Sequence, residues 1–210
     1  MYRHLFWDMG GTLVDTYPAL DAEFVRVIRG HGHDVDAATV SRWTRQSTGE
    51  AIDALSARFG IPTDEFARAN RALKERWRTQ PAPVMPGARE LMADVRAAGG
   101  LNLVVTHRER GSAESLVEGL GLEIDDLVST SDGYPRKPDP TMYTVLLGRH
   151  GLAPADCLGI GDRAIDAEAA CAAGMDAAML TSPHAAPTDV ATHIVATLDE
   201  LRPLLQLGTP

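Results

Sequence analysis

Short apolar runs that stop at turn or polar residues recur along this chain, at Leu5–Trp7, Leu101–Val105, Leu158–Ile160, Ala177–Leu180 and, more weakly, His193–Val195. Each has the length of a largely buried strand. Stretches of helical pattern lie between them, and four end at a glycine: Glu90–Ala98 at Gly99-Gly100, Glu114–Leu120 at Gly121, Met142–His150 at Gly151 and Ala164–Ala173 at Gly174. Glycine just past the last helical residue is a common stop, because it accepts the left-handed backbone that ends a helix. Strands alternating with helices of this size imply a parallel sheet with right-handed crossovers, whose strand tips share one edge. The expected fold class is therefore α/β.

Residues 16–84 break that rhythm. They carry helical patterns at Ala19–Gly30, Ala37–Thr44, Glu50–Phe59 and Thr63–Gln80, with no convincing strand. Pro62, Pro81-Ala82-Pro83 and Pro86-Gly87 punctuate them and mark the return to the sheet. A segment of roughly seventy residues is too long for a loop. It reads as a helical cap inserted over the strand tips, leaving residues 1–15 and 85–210 as the core. A chain of 210 residues has room for one sizeable core and a smaller insertion.

With 44% hydrophobic and 23% charged residues the composition is that of a soluble globular protein. The formal net charge of −9 disfavours non-specific contact with nucleic acid or anionic membrane. No apolar run approaches the roughly 18 residues of a membrane span, and no basic leader precedes the first strand, so a cytoplasmic location is expected. Cys157 and Cys171 have neither a CxxC spacing nor a nearby His cluster, and are expected to be buried free thiols. Of the 20 basic residues only Lys74 and Lys137 are lysines.

The first apolar run delivers a lone carboxylate, Asp8, to the sheet edge where open α/β folds bind ligands, followed at once by Met9-Gly10-Gly11-Thr12. Such an Asp is a candidate nucleophile or metal ligand. Three further segments fall at strand ends or adjoining loops: Thr106-His107-Arg108, Arg136-Lys137-Pro138 and Gly161-Asp162-Arg163-Ala164-Ile165-Asp166. Taken alone, Asp162 and Asp166 also suit the start of a helix, where carboxylates accept amide hydrogens and complement the dipole. Thr106 alone suits a turn, and Lys137 alone a solvated loop. Trp7, directly before Asp8, reads as core rather than as a stacking platform.

In this order, with a helical insertion after the first, the four segments resemble the haloacid dehalogenase (HAD) superfamily over essentially the whole chain. The cap stands where phosphoglycolate phosphatase and β-phosphoglucomutase relatives carry theirs. The resemblance implies a Rossmann-like parallel sheet core with an inserted helical cap domain, and Mg²⁺-dependent hydrolysis of a small phosphate monoester through an aspartyl-phosphate on Asp8. Phosphoglycolate or a sugar phosphate would fit a small capped site. An anionic nucleophile facing an anionic phosphate needs a cation between them, and a hard ion held by few carboxylates suits that role. By the resemblance, Asp8, Asp162, Asp166 and the Gly10 carbonyl serve the metal, Lys137 clamps the phosphoryl group, and Thr106 donates to it. Gly11 and Thr12 would shape the phosphate loop. Thr48 and Gly49, in the turn Gln46-Ser47-Thr48-Gly49, resemble the specificity loop of this cap type, and His107 and Arg108 could reach the phosphate or the substrate. The expected partner is a small phosphorylated metabolite, bound by a monomer or homodimer.

Gly10 departs from the family, most of whose phosphatases carry Asp two residues after the nucleophile to protonate the leaving oxygen and activate water. Side-chain acid/base catalysis is worth roughly 10² to 10⁴ in rate. Three readings follow. The chain acts on good leaving groups, or borrows a water, His107 or a cap residue as acid; or it resembles phosphonatases, which have a small residue here and a cap lysine; or it is a non-catalytic phosphate-ligand sensor. The lone cap lysine, Lys74, sits in Leu73-Lys74-Glu75-Arg76 and reads as a solvated helix face. A metal-free dehalogenase is disfavoured by the acidic pair Asp162 and Asp166, which would repel a carboxylate substrate.

Overall fold

The computed structural model describes residues 1–182 and 189–207. Its centre is one six-stranded parallel sheet formed by β1 (His4–Trp7), β2 (Asn102–Thr106), β3 (Asp126–Ser129), β4 (Cys157–Gly161), β5 (Asp176–Leu180) and β6 (His193–Val195). The spatial order is β3-β2-β1-β4-β5-β6, a Rossmann-like arrangement in which the chain reverses direction across the sheet between β3 and β4. Trp7 registers with Val104 on one side and Ile160 on the other, so β1 is central and the residues after it emerge at the shared C-terminal edge.

Alternation along β1 divides the interior. Leu5 and Trp7 join one apolar cluster and Phe6 the other, as successive strand residues must. Helices α5 (Ala88–Ala97) and α6 (Arg110–Gly119) cover the first face through Leu91, Met92, Val95 and Leu116. Helices α7 (Thr141–His150) and α8 (Ala164–Ala172) cover the second through Met142, Tyr143, Leu146 and Ala170. Each fully buried large side chain contributes about 1.5–3 kcal/mol of transfer free energy. Trp7 is completely buried and its indole Nε1 donates to Asn102 Oδ1 at 3.1 Å, as expected of a core residue.

The segment between β1 and β2 is helical, comprising α1 (Tyr17–Gly30), α2 (Ala37–Thr44), α3 (Thr48–Phe59) and α4 (Thr63–Arg76). Leu20, Phe24, Leu55, Phe66 and Leu73 knit these helices together, with the Phe24 and Phe66 rings edge to face at 5.3 Å. Where the chain leaves and re-enters the sheet region the two strands of connection run antiparallel, Val14 bridging Val84. Asp15 N donates to the Pro83 carbonyl at 2.8 Å and Met85 N to that of Leu13 at 3.0 Å.

The structure corrects several local expectations. β3 was not anticipated, since Asp126-Leu127-Val128-Ser129 has only two apolar residues and lies at the sheet edge, where a short strand suffices. The fourth helix of the insertion ends at Arg76 rather than Gln80, and α6 begins at Arg110, capped by the Glu109 carboxylate. Cys157 is buried, but Cys171 is only half-buried; both are free thiols. Gly99, Gly121, Gly151 and Gly174 all adopt positive φ at the anticipated helix stops. No helix among the described residues is long and apolar enough to cross a membrane.

Candidate active site

Four of the anticipated residues meet at the C-terminal edge of the sheet. Asp8 follows β1 directly, its amide continuing the ladder to the Ile160 carbonyl at 2.8 Å. Asp162 follows β4, Asp166 lies in the first turn of α8, and Lys137 reaches in from the loop before α7. Lys137 Nζ is 2.6 Å from Asp8 Oδ1 and 2.6 Å from Asp166 Oδ1, and its side chain is wholly buried. Asp8, Asp162 and Asp166 each offer an oxygen within 4.8 Å of the others.

Asp166 serves two purposes at once. Its Oδ2 accepts the Arg163 backbone N–H at 3.2 Å, a helix-capping contact, while Oδ1 takes the lysine. The capping alternative and the ion pair therefore coexist. Close approach is possible because residue 161 is glycine: a Cβ there would lie 2.2 Å from Asp166 Cβ. Asp162 is held differently, its Oδ2 accepting from the Tyr17 hydroxyl at 2.9 Å and its Oδ1 from Thr12 Oγ1 at 3.4 Å. Tyr17 is the first residue of α1, so the helical insertion touches the carboxylate cluster directly.

Charge is unevenly shared. Burial works against the Asp166 carboxylate, but Lys137 and Arg163 hold it below its ordinary value. Burial pushes Asp8 up against the pull of Lys137. Burial, together with Asp166 and Asp8, pushes Asp162 up to about 7. Lys137 pairs with Asp8 and Asp166, while Asp162 is held by the hydroxyls of Tyr17 and Thr12 and has no ion pair among the described residues. That excess of hard oxygen donors in one spot fits a divalent cation such as Mg²⁺.

A cavity of about 510 Å³ opens in front of Asp8. Thr106, the last residue of β2, lines it; its buried Oγ1 accepts the Arg108 amide at 3.0 Å, leaving its own O–H free to donate. Thr48 and Gly49 also line it, in the first turn of α3, with Ser47 capping that helix by accepting the Glu50 amide at 3.1 Å. Gly10 lines the floor. Gly11 and Thr12 do not: the Gly11 amide is bound to the Val14 carbonyl at 2.8 Å and the Thr12 hydroxyl points to Asp162. These two shape the loop from behind instead.

His107 lines the cavity but is not an acid. The Lys137 backbone N–H donates to its Nε2 at 2.8 Å and Arg136 Nη2, also a donor, lies 3.0 Å from Nδ1, so both ring nitrogens face donors and a second proton is opposed. Burial, Lys137 and Arg136 push the ring's pKa down to about 3, which leaves it neutral at physiological pH. Lys74 also departs from expectation. Far from being a solvated helix residue, it is half-buried in the cavity wall with Asn70 and Trp77. Arg108, which the sequence placed within possible reach of the substrate, lines the cavity. Arg163 was not singled out from sequence; it too lines the cavity, and its Nη1 donates to the Gln46 carbonyl of the insertion at 3.3 Å. Arginine is so common in this chain that composition alone carried no signal for Arg163.

Comparison with known proteins accords with this geometry. The family model described as haloacid dehalogenase-like hydrolase matches residues 2–174. The chain belongs to that family. It is 31% identical over 193 residues to a phosphoglycolate phosphatase of Rhodospirillum rubrum, covering 86% of this chain and 80% of the relative. It is 28% identical to a validoxylamine A 7′-phosphate phosphatase of Streptomyces hygroscopicus, covering 88% of each. Among solved structures it resembles a HAD family hydrolase from Deinococcus radiodurans crystallised with bound phosphate and sodium. The TM-score is 0.82 at 22% identity, over 97% of this chain and 94% of that one.

Proposed function

We propose that the chain is a Mg²⁺-dependent phosphatase of the cytoplasm that hydrolyses a small phosphate monoester through an aspartyl-phosphate on Asp8. The observation that carries this reading is the buried bridge from Lys137 to Asp8 and Asp166 beside Asp162. It is supported by relatives named as phosphatases. Asp8, Asp162 and Asp166, with the Gly10 carbonyl, would hold the ion. When bound, Mg²⁺ supplies positive charge that lets an anionic nucleophile approach an anionic phosphate. Asp8 is the nucleophile, oriented by the lysine on its Oδ1. Lys137 offsets the negative charge of the transferring group and Thr106 Oγ1 donates to one of its oxygens. The insertion, residues 16–84, acts as a cap that encloses the substrate during transfer; once the alcohol product leaves, water attacks the phosphorus of the aspartyl-phosphate, which restores the Asp8 carboxylate and releases inorganic phosphate.

No acid faces the leaving oxygen from position 10, and neutral His107 cannot replace it. The enzyme should therefore favour substrates that depart without protonation. The test is turnover of p-nitrophenyl phosphate and acetyl phosphate against an alkyl phosphate, with and without Mg²⁺, in wild type and Asp8→Asn. Activity on the first two that requires Mg²⁺ and vanishes in the variant is the expected result; retained hydrolysis by Asp8→Asn rejects the nucleophile. A phosphonatase-like cleavage of a carbon–phosphorus bond is the second reading, favoured by one observation, the half-buried cap lysine Lys74 in the cavity wall. Borohydride reduction in the presence of phosphonoacetaldehyde would attach the substrate to Lys74 in that case.

A further inference from the structure

The three carboxylates of the cluster are not held alike. Lys137 fixes Asp8 and Asp166 at 2.6 Å each, and all three of these residues lie outside the insertion. The Asp162 side chain is held only by two hydroxyls among the described residues: Thr12 Oγ1 at 3.4 Å, near the limit of a hydrogen bond, and Tyr17 at 2.9 Å. The shorter contact comes from the insertion. One of the three carboxylates that could hold the cation is thus oriented by a residue foreign to the sheet that presents the other two.

The contact is built from several elements. A Cβ at residue 11 would lie 2.2 Å from Tyr17 Cε2, so the ring reaches Asp162 only because that loop position is glycine. Arg45, directly after α2, places its guanidinium carbon 3.7 Å from the centre of the Tyr17 ring, while its Nε and Nη1 are buried with no hydrogen-bond partner. Burying guanidinium nitrogens without acceptors is costly, and attraction to the ring face is what offsets it here. The glycine admits the phenol and the arginine holds it. A second tie runs between the neighbours of these residues, from Arg163 Nη1 to the Gln46 carbonyl at 3.3 Å.

We propose that Tyr17 is a positioning residue for the metal site: its hydroxyl fixes the Asp162 carboxylate for the cation, so that metal affinity and the seating of the insertion rise and fall together. This role rests on the phosphatase reading for the identity of the ion, Mg²⁺. A buried phenol that merely found an acceptor would add to stability and do nothing more. Coupling demands more. Whatever factor the seated insertion adds to metal affinity, the metal must add to the seating.

Tyr17→Phe removes the hydroxyl and keeps the ring against Arg45. Calorimetric titration of Mg²⁺ into the substrate-free protein is expected to show binding about tenfold weaker than in wild type, the lower end of what groups that orient a metal ligand contribute. Hydrogen exchange reads the reciprocal half. Mg²⁺ should slow amide exchange across Tyr17–Gly30 in wild type by about the same factor, and by much less in the variant. Arg45→Met, which leaves the hydroxyl but releases the ring, should move both readouts the same way by less. Equal Mg²⁺ affinity in wild type and Tyr17→Phe overturns the positioning role, whatever the variant's melting temperature. Protection of α1 by Mg²⁺ that persists at wild-type strength in Tyr17→Phe overturns it too, as does a wild type that binds no Mg²⁺. Neither readout needs turnover. If both shifts are found and acetyl phosphate is still not hydrolysed, the phosphatase reading fails and the positioning role stands.

Discussion

Gly10 and Gly11 are adjacent and alike in sequence, but the backbone treats them differently. Gly11 has φ +90°, and a Cβ there would sit 2.2 Å from Tyr17 Cε2 and 2.7 Å from Asp162 Oδ2. Gly10 lacks a positive φ, and its Cβ would meet only Thr16 Oγ1, at 3.1 Å. Gly11→Ala should therefore destabilise the fold by at least about 1–3 kcal/mol, read as a lower denaturant midpoint. Gly10→Asp should fold, and if the missing carboxylate is what limits turnover it should raise the rate on alkyl phosphates by up to roughly 10²-fold while changing acetyl phosphate little. Among the residues, Asp8, Lys137, Asp162 and Asp166 were legible because four short motifs in order are rarely coincidental. Lys74 was not. Its flanking charges suggested solvent, and it is the packing of α4 against α1 and α3 that turns it into the cavity.

Between elements, the imidazole of His107 joins the loop after β2 to the loop before α7 through the Lys137 amide. Its pKa falls from 6.5 when unfolded to about 3 when folded, because burial, Lys137 and Arg136 oppose a second proton. The unfolded chain thus binds a proton between those values that the folded chain refuses. Stability from this group is full above pH 6.5 and is lost as the pH falls towards 3. His107→Asn should flatten that part of a plot of melting temperature against pH; an unchanged slope would assign the acid lability elsewhere. At this scale the strands with three or more apolar residues, and the helices with glycine stops, could be read in advance. β3 could not, since Leu127 and Val128 are its only apolar residues, flanked by Asp126 and Ser129, and it gains definition from its neighbour β2.

Across the whole molecule, acidic residues dominate the surface while cations gather in one recess. Anionic substrates are then attracted at short range and repelled at long range, and salt screens the long-range repulsion before the attraction inside the recess. KM for 2-phosphoglycolate is expected to hold or fall as NaCl goes from about 0.05 to 0.5 M; a steep rise would place the attraction at the exposed surface instead. The parallel sheet, and the helical character of the segment between its first two strands, followed from the alternation of patterns. The assignment of faces, and hence the meeting of α4 with the loop after β2, is a tertiary outcome that no local pattern encodes.

The chain leaves the sheet at Val14 and returns at Val84 across one antiparallel bridge. Because departure and return are neighbours in space, everything between them is a cassette. Exchanging it would leave the pairing of β1, β2 and β4 untouched, and at the carboxylate cluster would remove the Tyr17 hydroxyl from Asp162 and the Gln46 carbonyl from Arg163. It would replace Lys74, Thr48 and Trp77 as a set. Reaction chemistry and ligand choice are therefore separately heritable in this architecture, and a lineage can acquire a new substrate by recombination without relearning how to break the bond.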